Sequence, residues 1–192
     1  IAFTVKVRGK ASHAGFAPQN GVHAIRIAAA AIAEMAIGRI GDDTTVNVGQ
    51  IEGGRASNIV PDYCEVSGEL RSFSHKKALE ELAKVEQIFA KEAEKRGGSI
   101  EFIRDICYQA YKTDENESVV KEFQKACTAC GIKSSLIATF GGSDQNKMSE
   151  HGIPGIVMAS AMHQVHSCQE YTEVSEMAQV AGIVSELLQM KE

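Results

Sequence analysis

The chain has 192 residues, 44% hydrophobic and 23% charged, with a net charge of -5, which suits a globular protein of one large domain or two of about a hundred residues. No apolar run approaches the ~20 residues of a membrane span, because Arg26 and Glu34 interrupt the richest stretch, and no stripe of Lys and Arg offers a phosphate-neutralising surface for nucleic acid. The five cysteines (Cys64, Cys107, Cys127, Cys130, Cys168) are odd in number and scattered, which suits reduced thiols and a cytoplasmic location better than a disulfide framework.

Residues 2–9 alternate with period two, Phe3, Val5 and Val7 on one face and Thr4, Lys6 and Arg8 on the other, which predicts a half-buried strand. Because this strand begins at once, with neither an initiator methionine nor a leader, the chain is expected to be a piece of a longer polypeptide. A loop holding Pro18 and Asn20-Gly21 leads to an alanine-rich helix over about 21–37, stopped by Gly38 and Gly41. Residues 44–51 predict a second strand, Glu52-Gly53-Gly54 a turn, and 59–73 a long third strand. Ser74 caps an amphipathic helix over 75–96, with Leu79, Leu82, Val85 and Phe89 at helical spacing and Gly97-Gly98 ending it. Residues 99–107 alternate again. Strand, helix, strand, strand, helix, strand is the split pattern of a ferredoxin-like α+β sandwich, closing near residue 110.

From about Tyr111 the pattern becomes helix 117–130, strand 132–139, helix 144–151, strand 155–159 and helix 172–190. This is α/β layering. Two or three strands are few for an independent sheet, so residues 111–192 are expected to form an α/β half-domain whose other strands precede Ile1.

Polar islands interrupt these patterns, and chemistry is expected there. His163 and His166 fall beyond a strand end and before the last helix, where open sheets place ligands. They are either solvated loop histidines or metal ligands, and since zinc takes three or four donors the rest would lie outside this sequence. His13, between Ser12 and Ala14-Gly15, is either a turn histidine satisfied by backbone or a donor to a developing oxyanion. Asn58 either pins the turn before it or reaches a carbonyl. Arg71 shares a strand face with Glu69 and Ser67, so it makes a surface ion pair or grips a carboxylate bidentately. Gly141-Gly142-Ser143-Asp144 joins a strand to a helix and either holds an anion or caps the helix; it lacks the Gly-Lys-Ser ending of a phosphate loop. Cys127 and Cys130 have no second pair and are not read as a zinc or redox site, and His23, His75 and His151 read as helical surface or packing residues.

Taken in order, Val5-Lys6-Val7-Arg8-Gly9-Lys10-Ala11-Ser12-His13-Ala14-Gly15, Gly49-Gln50-Ile51-Glu52-Gly53-Gly54, Ser57-Asn58-Ile59-Val60-Pro61, Glu69-Leu70-Arg71-Ser72, Gly141-Gly142-Ser143-Asp144-Gln145-Asn146, Gly152-Ile153-Pro154 and His166-Ser167-Cys168-Gln169-Glu170 form one set. This set resembles the C-terminal two-thirds of a peptidase T-like tripeptide aminopeptidase. That enzyme belongs to the co-catalytic zinc peptidase/deacylase superfamily, with glutamate carboxypeptidase and acetylornithine deacetylase. The resemblance covers essentially the whole chain, and the ordered set carries it rather than any one motif.

The resemblance implies a lid or dimerisation domain over residues 1–110 and the C-terminal part of a catalytic domain over 111–192, the N-terminal part lying upstream. It implies that His13 and Asn58 polarise the scissile carbonyl, His13 across a homodimer interface, and that Arg71 holds the terminal carboxylate of a short peptide. Gly142 and Ser143 would line the substrate loop, and His166 would be one zinc ligand. The implied reaction is hydrolysis by water activated on two metal ions, zinc or else cobalt or manganese, with a glutamate as general base. That glutamate and the other ligands have no match in this sequence, so these residues alone are expected to be inactive. Two other readings stay open: deacylation of N-acyl amino acids with the same residues, and a non-catalytic dimerisation or peptide-binding module. Neither nucleic acid nor membrane is expected as a partner.

Overall fold

Strand β1 (Ala2–Arg8) buries Phe3, Val5 and Val7 in the computed structural model, which describes residues 1–190. After it come β2 (Ser12–His13), a 3-10 turn (Pro18–Asn20), α1 (Ala24–Glu34), β3 (Gly38–Ile40), β4 (Thr44–Gly53), β5 (Ile59–Val60), β6 (Tyr63–Ser72), α2 (His75–Lys95) and β7 (Ser99–Asp105). The main sheet runs β3-β4-β6-β1-β7 and is antiparallel throughout. Apart from the short edge strand β3, this is the ferredoxin-like arrangement that the element order implied.

Both helices cover one face of this sheet. On α1, Ala24, Ala28 and Ala31 are small enough for the helix to lie close to the strands, with Ile27 filling the space between. On α2 the buried stripe is Ala78, Leu82, Val85 and Phe89. It starts at Ala78 rather than Leu79, which is exposed, because the position four residues before Leu82 faces inward and the one three before it does not. Burying a ring such as Phe89 contributes about 2–3 kcal/mol. Glu92, 1% exposed on the same helix, is paired with Arg96 and, at 3.5 Å, with Lys95. Ser74 Oγ accepts the N–H of Lys77 at the start of α2. Gly97, at φ 74°, ends it and lets the N–H of Gly98 reach the Ala93 carbonyl at 2.8 Å.

The long third strand expected over 59–73 is broken. Pro61 has no N–H to give a ladder, and the chain changes partners there. β5 leaves the main sheet and pairs with β2, setting Ser12 opposite Val60 and His13 opposite Ile59. Helix α1 is shorter at both ends than expected. His23 caps it, Nδ1 accepting the N–H of Arg26 at 3.2 Å, and the helix stops at Met35, leaving Gly38 to open an edge strand. The ladder between β4 and β6 carries a bulge between Val48 and Gln50.

A second unit begins at Tyr111. It contains α3 (Ser118–Ala129), α4 (Asp144–Glu150), β8 (Met162–His163), β9 (Tyr171–Thr172) and α5 (Val174–Gln189). Helices α3 and α5 pack through Ala126, Cys127 and Ile183. Residues 132–139 and 155–159, expected as strands, form no ladder. A strand exists only with a hydrogen-bonding neighbour, and among the described residues neither segment has one, so Ile137 and Val157 stay exposed. Lys191 and Glu192, the last positions of the expected second unit, lie outside the described residues. No helix among the described residues is long and apolar enough to cross a membrane.

Candidate active site

His13 closes the short strand β2, and the chain folds straight back over it. The N–H groups of Gly15 and Phe16 both donate to its Nδ1, at 3.1 and 3.2 Å, and the N–H of Ala17 donates to its carbonyl at 3.0 Å. Ser12 Oγ donates to the Ala17 carbonyl at 2.8 Å. With Nδ1 accepting, the neutral imidazole carries its proton on Nε2, at the ring edge away from the turn. The two readings of His13 therefore concern different atoms: Nδ1 satisfies the turn, and Nε2–H remains a donor on an exposed ring. The phenyl ring of Phe16 leans on this imidazole, with centroids 4.3 Å apart and planes at 31°.

Asn58 sits beside that turn. The N–H of Ala14 donates to its carbonyl at 3.0 Å, which ties the His13 loop to the start of β5. Its side chain does not pin the preceding turn, which closes instead through the N–H of Ile59 and the carbonyl of Ala56 at 3.3 Å. The exposed Asn58 amide has no hydrogen-bond partner among the described residues.

Arg71 is placed elsewhere. Its Nε and Nη2 donate to the two carboxylate oxygens of Glu69, each at 2.9 Å, so a bidentate grip exists on the chain's own carboxylate. The fork holds the Glu69 carboxyl below the usual carboxylate range and raises the guanidinium further. Arg8, opposite Tyr63, leads into β2, whereas Arg71 is at the other end of β6. Eight residue steps at about 3.3 Å put it ~26 Å away along the strand. One chain therefore brings His13 and Asn58 together and leaves Arg71 apart.

In the second unit, Ser143 caps α4, its N–H donating to Asn146 Oδ1 at 3.0 Å, while its Oγ is buried with no partner among the described residues. Gly142 precedes it, exposed. The backbone around β8 is strained: Ala161 just before it, and Gln164 and His166 in the loop to β9, have φ of 61°, 52° and 65°, a region that costs non-glycine residues about 1–3 kcal/mol each. Thr172 Oγ1 donates to the Ala161 carbonyl at 2.6 Å, and the N–H of His166 to Glu170 Oε2 at 2.7 Å. His163, expected beside His166, is bound to Glu176 through Nε2 at 2.6 Å and stacks on Tyr171 at 4.7 Å.

The His166 ring is exposed and has no hydrogen-bond partner among the described residues. One imidazole does not make a zinc centre, and among the described residues no three His, Cys, Asp or Glu side chains converge. These residues by themselves do not fit the metal pair. Burial pushes the Cys64 and Cys127 thiols up, away from the reactive thiolate.

Phe16 and Glu176 escaped the sequence reading, since each meets a histidine through tertiary placement that no periodicity encodes, and Glu170, singled out only within the His166 motif, receives the His166 N–H. The Glu69 partnership was visible, because residues two apart on a strand share a face.

These elements define a class: a ferredoxin-like α+β sandwich with a histidine-bearing turn at one end, followed by a mixed α/β unit. The peptidase dimerisation domain model matches residues 1–97, and the chain belongs to this M20 peptidase dimerisation family. It is 35% identical over 181 residues to the uncharacterized protein YqjE of Bacillus subtilis (strain 168), covering 94% of this chain and 49% of that one. Among solved structures, aminopeptidase PepT from Bacillus cereus ATCC 10987 is 36% identical with a TM-score of 0.84, over 98% of this chain and 50% of that chain. A tripeptidase from Staphylococcus aureus subsp. aureus Mu50 is 31% identical with a TM-score of 0.89, over the same 98% and 50%. The chain is peptidase T-like and spans about half the length of these relatives.

Proposed function

We propose that the whole protein containing this chain is a metal-dependent exopeptidase of the tripeptide aminopeptidase kind, located in the cytoplasm. Residues 1–110 are its lid and dimerisation domain, and residues 111–192 belong to the C-terminal part of its catalytic domain. The observation that carries this reading is the His13 turn: two N–H groups on Nδ1 leave Nε2–H as an oriented donor on a loop whose Ala14 N–H is bonded to the Asn58 carbonyl. Such donors stabilise the charge that a carbonyl oxygen gains under attack. Arg71 holds the substrate's terminal carboxylate, Gly142 and Ser143 border the substrate, and His166 is the ligand this chain contributes to the metal, for which zinc is proposed.

The ~26 Å between the two ends of β6 supports a homodimer. A fully extended tripeptide spans only about 11 Å, well short of that length, which favours His13 and Arg71 of different chains meeting one substrate. One protomer supplies His13 and Asn58 and its partner supplies Arg71. In the whole protein, turnover of a tripeptide panel that chelator abolishes and added zinc restores, together with a dimeric mass by light scattering, is the expected outcome. Turnover of N-acyl amino acids with no tripeptide cut would move the reading to deacylation, and no turnover of either would leave a non-catalytic module.

A further inference from the structure

We infer that Phe16 contacts the substrate and sets a preference for an apolar side chain on the residue whose carbonyl is attacked, an inference that rests on the peptidase reading above. Phe16 is 85% exposed, the highest value among the exposed large apolar residues. It is not a loose surface side chain. Its own N–H is bonded to His13 Nδ1 at 3.2 Å, the next residue is held through both its N–H and its carbonyl, and its ring rests against the imidazole. Backbone and ring are therefore both held relative to the one atom, Nε2, that meets the scissile carbonyl.

The distances fix what Phe16 can touch. An oxygen accepting Nε2–H at about 2.9 Å lies ~4 Å from the imidazole centroid, and the phenyl centroid is 4.3 Å from the same point, over the ring face. The oxygen and the phenyl centroid are then about 6 Å apart, so a side chain next to that carbonyl that turns toward Phe16 reaches the ~4 Å of apolar contact with the phenyl ring. An aliphatic side chain placed there removes both surfaces from water; a glycine at that position has nothing to lose.

The test is steady-state kinetics of the whole protein and its Phe16→Ala and Phe16→Leu variants on Leu-Gly-Gly, Ser-Gly-Gly and Gly-Gly-Gly, with melting temperatures measured alongside. Phe16→Ala is expected to lower kcat/KM for Leu-Gly-Gly about tenfold, mainly through KM, while Gly-Gly-Gly changes less than about twofold and Phe16→Leu recovers most of the preference. An equal loss on all three peptides, with or without a fall in melting temperature, would reduce Phe16 to a support for the His13 turn and overturn the inference. An unchanged preference in Phe16→Ala overturns it too, leaving the peptidase reading intact. A wild-type protein that cuts none of the peptides sinks both.

Discussion

The backbone N–H of Ala14 donates to the carbonyl of Asn58 at 3.0 Å. This single bond joins the loop after β2 to the start of β5, and so brings the backbone that carries His13 next to the backbone that carries Asn58. His13→Ala in the whole protein should lower kcat by about 10²–10³, the loss typical of one oxyanion donor. His13→Asp is the sharper variant, because an aspartate can still accept the Gly15 and Phe16 N–H groups and keep the turn, but has no proton to donate. Matching losses in the two variants, with circular dichroism unchanged, are expected. Wild-type kcat in His13→Asp would end the donor assignment.

Arg71 has a carboxylate partner in Glu69, and a substrate carboxylate must compete with it. Arg71→Ala should raise KM about tenfold for peptides with a free C-terminus and leave amidated peptides unaffected, as loss of one charged contact predicts. Glu69→Ala should lower KM for the free peptides. Both side chains are near half exposed, so either change should cost no more than about 1 kcal/mol of stability. Identical KM shifts on free and amidated peptides would rule out carboxylate recognition.

Glu92 gives the fold a defined pH dependence. Burial opposes its ionisation, but hydrogen bonding and charge from Arg96, then Lys95, outweigh burial and hold its carboxyl below the ordinary 4.5. A carboxyl depressed on folding adds stability that is present above its unfolded value and lost as pH falls through its folded value. The difference in urea midpoint between wild type and Glu92→Gln should therefore be constant from pH 7 down to about 5 and shrink below about 4.5. A gap that widens in acid would reverse the sign assigned to this pair.

Gly68 has no room for a side chain. A Cβ there would overlap the Asn47 carbonyl oxygen of β4 and the ring of Phe3 on β1. Gly68→Ala should cost about 1–3 kcal/mol by overpacking, read as a lower urea midpoint with an unchanged slope. An unaltered midpoint would mean that the strands separate there without strain.

Hydrophobic periodicity alone determined the order of strands and helices in the first unit, the buried face of β1 and the split ferredoxin-like plan, because burial of one face of an element is a local property written every second or every fourth residue. The polar islands at His13, Asn58 and Arg71 were legible for the same reason, as interruptions of that pattern. Only the tertiary structure decided which of them meet. That β5 leaves the sheet at Pro61 to pair with β2, and that His163 turns to Glu176 while His166 has no hydrogen-bond partner among the described residues, both depend on which partners the fold brings near. A hydrogen bond needs its two atoms within about 3 Å in a narrow range of directions, and the pattern of apolar and polar residues along a chain carries no information at that scale. The unpaired segments at 132–139 and 155–159 make the same point from the other side: their composition suits strands, but a strand is defined by the neighbour that accepts its hydrogen bonds.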